Sequence, residues 1–241
     1  VSANKEFGDY TLTVNAGGNQ MRRRTDINNV QVTDFAIRDL YVVQNGRAKD
    51  PFYNLIEMGV NSLYGSAEVS WKNTLYVTGT VRNDWFSTLS PENRSILYPS
   101  ISGSYVFSET LKTLAWLDFA KVRLGYAEVG SDGDVAPYSD VLFYNLNANT
   151  INNPAGTPVS VGGTGTVVPN PDLKPARVSE IEAGLELRMF QSRVNLDLAV
   201  YRKITSDQIV QVQISDASGF LNTRMNSGRS RNVGMEALLN I

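Results

Sequence analysis

Cysteine and histidine are both absent from the 241 residues. Without them a Ser-His-Asp triad, a cysteine nucleophile and a His- or Cys-ligated zinc site are excluded. No disulfide framework can form, and the redox compartment is therefore not legible. No run of about 18 apolar residues occurs, so no membrane-spanning helix is expected. Charge is scarce: Asp, Glu, Lys and Arg make up 19% of the chain, against roughly 25% in typical soluble domains. Lys plus Arg number 22 and Asp plus Glu 24, a net charge of −2, which lacks the basic surface that nucleic acid demands. No signal peptide is visible. The chain opens on Val1 rather than Met and closes on Ile241 inside an alternating apolar pattern, so it reads as a piece of something longer.

Apolar residues reach 42%, and uncharged polar residues fill the gap left by the missing charge. A sheet with lipid on one side and water on the other has that composition. Period-2 alternation is the dominant pattern. Ile181, Ala183, Leu185, Leu187 and Met189 alternate with Glu180, Glu182, Gly184, Glu186 and Arg188. After Gln191-Ser192, the residues Val194, Leu196, Leu198 and Val200 alternate with Asn195, Asp197, Ala199 and Tyr201. A two-residue turn pairs Met189 with Val194, Leu187 with Leu196 and Leu185 with Leu198, which puts every apolar side chain on one face. An earlier hairpin places Leu63, Gly65, Ala67, Val69 and Trp71 against Leu75, Val77, Gly79 and Val81 across a three-residue loop, Lys72 to Thr74. Asn73 suits the left-handed turn position there.

Further strands are expected at Asp9–Asn15, Ser100–Phe107, Lys121–Val129 and Arg231–Ile241. The total is about eight, most of them near the 9–11 residues that cross a bilayer at a tilt. Glu109–Phe119 carries apolar residues at helical spacing and reads either as one short helix or as a structured turn. The connections near 17–56, 83–99, 130–177 and 206–228 read as long loops, in contrast to the short turns at 72–74 and 191–192. Short turns at one rim and long loops at the other are the mark of an outer-membrane barrel. Trp71, Tyr76, Trp85, Tyr98, Phe107, Phe190 and Tyr201 fall near strand ends. They read as an interfacial girdle or as hydrophobic anchors in a sandwich.

Several stretches resemble one family. Residues 64–109 carry Arg82, Asn83, Asp84, Ser87, Thr88 and Leu89, then Tyr98, Pro99, Ser100 and Ser102. This order is similar to the barrel of SusC/RagA-type TonB-linked outer-membrane proteins. KVRLGYAEVG at 121–130, NPDLKP at 170–175 and NSGRSRNVGMEALLN at 226–240 resemble further segments of that barrel. Ala176 and Gly125 depart from the family pattern, which has Glu and Ser there. The resemblance implies an all-β, antiparallel transmembrane barrel of 22 strands, of which residues 1–241 form an open part. It implies a plug domain and a TonB box, both absent here. It implies a SusD-like surface lipoprotein lid, the TonB energy-coupling protein, glycan or peptide substrates, and the outer membrane of a Gram-negative bacterium of the Bacteroidota.

Candidate chemistry is sparse. Asp132, Asp134 and Asp140 could offer calcium hard oxygen ligands, but a solvated turn accounts for them better. Glu180, Glu182, Glu186 and Asp197 could do acid–base work in glycoside hydrolysis, but alternation already explains them as polar residues lining water. The run Met21–Arg24 suits an acidic glycan or lipopolysaccharide, or is simply a charged loop base. GGTGT at 162–166 lacks the Lys and helix of a phosphate loop. No catalytic or cofactor residue is expected, and substrate-binding residues are not identified. The rival readings are a complete eight-stranded outer-membrane barrel serving as adhesin or enzyme, and a soluble glycan-binding sandwich.

Overall fold

The computed structural model describes residues 1–111, 114–132 and 135–241. Alternating sequence becomes strand throughout. The strands are β1 (Ser2–Phe7), β2 (Tyr10–Phe35), β3 (Gly46–Trp71), β4 (Leu75–Phe86), β5 (Ser95–Val106) and β6 (Leu117–Ser131). They continue with β7 (Tyr144–Asn152), β8 (Pro158–Thr164), β9 (Val167–Val168), β10 (Ala176–Met189), β11 (Val194–Gln213) and β12 (Asn222–Asn240). One 10-stranded sheet runs in the order β1-β2-β3-β4-β5-β6-β10-β11-β12-β9, and β7-β8 form a separate 2-stranded sheet. Every pairing is antiparallel except a bridge of Asn222 and Thr223 of β12 to Val167 and Val168 of β9. Among the described residues β1 does not pair with β12, so the sheet is open. A barrel closed at eight strands is not what these residues form.

The expected hairpins have the expected registers. Met189 faces Val194, Leu187 faces Leu196 and Leu185 faces Leu198; Trp71 faces Leu75 and Val69 faces Val77. Both turns place consecutive residues at positive φ, Lys72 and Asn73 at 51° and 52°, Gln191 and Ser192 at 61° and 60°. The amide of Thr74 donates to the carbonyl of Trp71, and that of Arg193 to Phe190. That left-handed pair matches the twist of the flanking strands, so the turns hold the register.

Two expectations are corrected, and one open alternative is decided for the turn. Residues 17–56 are not a loop: β2 and β3 run on through most of it, leaving only 36–45 as the connection. Likewise 206–228 is strand except for residues 214–221, and the connection within 83–99 shrinks to 87–94. Glu109–Phe119 contains no α-helix among its described residues: a 3-10 turn covers Phe107–Glu109 and β6 begins at Leu117. Finally, Tyr76, Tyr98 and Tyr201 do not join an outward girdle, because their positions alternate with the apolar residues of β4, β5 and β11.

The two faces are chemically distinct. From the short turns upward, one face presents Tyr10, Leu12, Val14 and Ala16 on β2, Trp71, Val69, Ala67 and Leu63 on β3, and Leu75, Val77 and Val81 on β4. It continues with Ile101 and Leu97 on β5, Val122, Leu124 and Tyr126 on β6, Leu187, Leu185, Ala183 and Ile181 on β10, Leu196, Leu198 and Val200 on β11, and Leu239, Met235 and Val233 on β12. Higher up the band gives way to mixed residues: Gln20, Asn61, Ser95, Glu128, Ser179 and Arg231 face outward beside Trp85 and Ile204. No second sheet covers this face: Leu63, Ile101, Leu124, Val200 and Met235 are all exposed. A soluble sandwich would have buried them.

Candidate functional site

The opposite face is polar, and its charges are arranged in pairs. Arg123 of β6 donates through Nε to Glu182 Oε1 at 3.2 Å and through Nη1 to Asp197 Oδ1 at 3.0 Å, joining three neighbouring strands. Gly184 makes this reach possible. A Cβ on Gly184 would lie 2.4 Å from Arg123 Nε, so the guanidinium crosses where a side chain is missing. Lys121 Nζ and Arg188 Nη2 each lie 2.8 Å from the Glu186 carboxylate. Tyr64 lies over Gly17 and Tyr201 over Gly234 in the same way; a ring covering a bare glycine is a known device for firming strand pairs.

A hollow of about 680 Å³ lies on this face, lined by Thr78, Ser102, Ser104, Lys121, Arg123 and Glu182 among others. Thr78 donates to Glu68 at 2.9 Å. Glu182, Glu186 and Asp197, proposed from the sequence as candidate acids, are thus each held by a cation. A glycosidase needs a pair of carboxyls directed at its substrate, whereas these three are directed at cations of the wall. The arrangement lines water and offers alternating charge to a polar solute.

Where the long loops begin, the polar face gains a cluster of buried apolar residues. Phe86, Ile96 and Tyr98 of the wall pack with Leu89, Val135 and Leu173 from the loops, and Val60 and Ile209 lean against them. Leu173 is only 2% exposed. It belongs to the NPDLKP segment, and polar bonds fix that segment on both sides. Ser90 Oγ donates to Pro171 O at 2.8 Å and Asn93 Nδ2 to the same carbonyl at 3.1 Å. Asn170 Nδ2 donates to Arg224 O at 2.8 Å, and Asn226 exchanges bonds with Lys174 at 3.0 Å and 2.8 Å. Three stretches singled out in the sequence, 82–89, 170–175 and 226 onward, therefore meet in one place. Tyr98 also donates its hydroxyl to Asp84, which takes a second bond from Arg82 Nε at 2.8 Å. Sequence reasoning missed this junction, because nothing local signals which loop leucine turns inward.

The remaining candidates scatter. Asp132 Oδ2 accepts from Thr88 Oγ1 at 2.6 Å, tying the loop to this junction. Asp140 is half-buried in the turn beyond, and Asp134 lies outside the described residues. Among the described residues no group of three metal-ligating side chains converges. The run Met21–Arg24 is strand, so Arg22 and Arg24 share one face and Met21 and Arg23 the other. Arg24 is committed to Asp26 at 2.8 Å and Glu57 at 3.4 Å, and Tyr53 donates to Asp26 at 2.9 Å. Arg24, then Tyr53, holds the Asp26 carboxyl below its ordinary 3.8, and Asp26 in turn raises the Tyr53 phenol above 10.0. Gly162 and Gly163 are part of β8.

This wall has close relatives in shape and in sequence. The chain is 28% identical over 97% of its length to a TonB-dependent receptor, P39, of Formosa agariphila. It is 27% identical over 74% of its length to the TonB-dependent receptor SusC of Bacteroides thetaiotaomicron. It spans 22% and 18% of those two proteins. A solved structure of the RagAB peptide transporter superposes with a TM-score of 0.82 over 99% of the chain and 26% of its own, at 20% identity. The ferric-catecholate import receptor Fiu of E. coli K12 gives 0.61 at 14% identity, over 99% of the chain and 34% of its own. At such identities the likeness to the solved structures is one of fold. The sequence model for the TonB dependent receptor-like β-barrel matches residues 2–241, and the chain belongs to that family.

Proposed function

We propose that this chain is part of the wall of an outer-membrane, TonB-dependent importer of oligomeric nutrients, peptide or glycan, that works beneath a SusD-like surface lipoprotein. The observation that carries this reading is the pair of unlike faces: an uncovered apolar band outside, and ion-paired residues, hydroxyls and glycines inside. Only a closed barrel pairs all its backbone groups in lipid with such faces. The chain spans about a quarter or less of the curated relatives cited above, so a plug, the contact with TonB and the remaining strands would come from the rest of the protein. The wall's role is passive: it holds a hydrated path and binds solute weakly, with no bond made or broken. The paired state of Glu182, Glu186 and Asp197 supports that, and so do relatives described as receptors and transporters.

The test uses the full-length protein in its own bacterium. It should fractionate with the outer membrane and co-purify with a lipoprotein. Uptake of labelled peptide or glycan oligomers should stop when TonB is deleted. Uptake that continues without TonB, or recovery of the protein outside the outer membrane, would overturn the reading. Which labelled oligomer enters decides the substrate class.

A further inference from the structure

We propose that the outward face of β10, β11 and β12 holds one phosphorylated, acylated lipid of the outer leaflet, with Arg202 and Arg231 on its phosphate. The inference rests on the outer-membrane reading above and adds a specific ligand to it. Its first ground is shape. A groove of about 620 Å³ lies on the apolar face, lined by Leu124, Ile181, Ala183, Val200, Val233 and Met235. Ala183 is its floor, flanked by Leu124 on one neighbouring strand and Val200 on the other. A short side chain between longer ones leaves a channel one acyl chain wide.

Its second ground is charge. Arg202 faces Val233 and itself lines the upper end of the groove, and Arg231 faces Ile204 one step higher, so the two are diagonal neighbours on the same face. Arg202 stands eight places beyond Val194; at about 3.3 Å per residue and a tilt near 40° it sits about 20 Å above the short turns. That is close to the top of an apolar band about 25 Å tall, from which a long side chain reaches the headgroups.

The third ground is what these arginines lack. On the polar face Arg123, Lys121 and Arg188 all have carboxylate partners. Among the described residues Arg202 and Arg231 have no ion pair, and Glu180, Glu182, Glu186, Asp197 and Glu236 on the paired strands point to the other face, while Asp207 sits at the irregularity of β11 farther up. Two guanidiniums at a lipid boundary with no counter-ion among the described residues suit an anion of the lipid surface, and phosphate offers the fork two oxygens there. Arg177 and Arg24, also outward above the band, are already taken by Glu128 and Asp26; only β11 and β12 set two such arginines beside the groove.

The test is native mass spectrometry of the full-length protein in detergent, titrated with lipid A, dephosphorylated lipid A, phosphatidylglycerol and inorganic phosphate. Wild type should retain lipid A in preference to the other three. Losing a charged hydrogen-bond partner weakens binding by roughly tenfold or more, so Arg202→Gln with Arg231→Gln should lower occupancy at least that far. Ala183→Phe, which fills the groove and keeps both arginines, should lower it too. Equal occupancy in the double variant, or equal binding of dephosphorylated lipid A, overturns the proposal. Binding of inorganic phosphate that Ala183→Phe leaves intact would make this a soluble-anion site, and preference for phosphatidylglycerol would remove the outer-leaflet assignment; both also overturn it. Recovery of each variant in the outer-membrane fraction checks the barrel reading separately.

Discussion

At the scale of single residues, side-chain absence matters as much as presence. Gly184 is where the Arg123 guanidinium passes, and a Cβ there meets it at 2.4 Å. Gly184→Ala should therefore displace Arg123 from Glu182 and Asp197 and cost about 1–3 kcal/mol, as overpacking does. Gly79 is the control: a Cβ there meets nothing within 4 Å, so Gly79→Ala should stay within about 0.5 kcal/mol. Folding titrations of the full-length barrel into lipid vesicles read both. Similar costs for the two glycines would remove the crossing Arg123 from the account. Asp26 makes a second residue-scale prediction, this one about pH. Its carboxyl is held below the ordinary 3.8, first by Arg24 and then by Tyr53. A depressed folded-state value means the interaction is fully present above the unfolded pKa and fades as pH falls through the folded one. The bonds of Asp26 should thus persist at pH 5 and loosen only below 3.8, and the Asp26 side-chain carbon resonance should titrate with a midpoint under that value. A midpoint above it would mean Arg24 does not hold the carboxylate.

At the scale of elements, a strand is readable in sequence only where its two faces meet different solvents. From Tyr10 to Gly18, Leu63 to Trp71 and Ile181 to Met189, lipid on one side and water on the other write a period of two into the residues. The strands were legible there, as were the registers of the hairpins at Lys72–Thr74 and Gln191-Ser192 and the left-handed Asn73; the register of β2 on β3 was not, because half of that pairing lies above the band. Above the band both faces meet water, and the alternation stops. Residues 20–35, with Gln20, Arg22, Arg24, Asp26 and Asn28 on the outer face, carry no such pattern and read as loop, yet they pair with β3 up to Phe35. The polar tyrosines were misplaced for a related reason. Proximity to a strand end suggests a girdle position, whereas parity puts Tyr76 and Tyr98 on the inner face. Of the candidate site, the lumen-side carboxylates were legible by parity, but their cations lie on other strands and emerge only from register.

The same parity predicts a contrast. Leu185 lies mid-band facing outward, with Val122 and Leu198 on either side; Leu185→Arg should cost about 2–4 kcal/mol. Ser102 lies at mid-height on the polar face beside the hollow, and Ser102→Arg should cost far less. Glu186→Arg is no substitute for it, because Glu186 balances both Lys121 and Arg188. Equal costs for Leu185 and Ser102 would invert the assignment of faces. The loops answer to a different force. Leu173→Ala empties the centre of the rim cluster, and buried leucine truncation costs about 2–5 kcal/mol. Because that cluster anchors loops rather than the wall, the loss should show as faster protease nicking between residues 132 and 175, with the barrel still resistant to unfolding by detergent at room temperature.

At the scale of the whole molecule, the unpaired edges decide what the chain can do. Along most of its length β12 has a partner on one side only: β11 pairs with it from Asn240 back to Asn222, while β9 touches just Asn222 and Thr223 on the other. β1 likewise has β2 on one side and nothing on the other among the described residues. Much of the free edge of β12 lies within the apolar band, where Val233, Met235, Ala237 and Leu239 face outward. In lipid each unpaired backbone N–H or C=O costs several kcal/mol. Several such groups along one strand outweigh the 5–15 kcal/mol by which a typical domain is stable. Closing β1 onto β12 would pair those groups, but a barrel of nine strands is hardly wider than the eight-stranded kind, whose interior its own side chains fill. The wall instead carries a hollow of about 680 Å³ and rim loops that fold inward over the polar face. A wide barrel accommodates both. Residues 1–241 expressed alone should therefore fail to insert into lipid vesicles, giving neither protease protection nor the heat-dependent shift in gel mobility of a folded barrel. The same residues within the full-length protein should give both. A stable, heat-shifting barrel from residues 1–241 alone would mean that the edges do close on each other, and the importer reading would lose its structural basis.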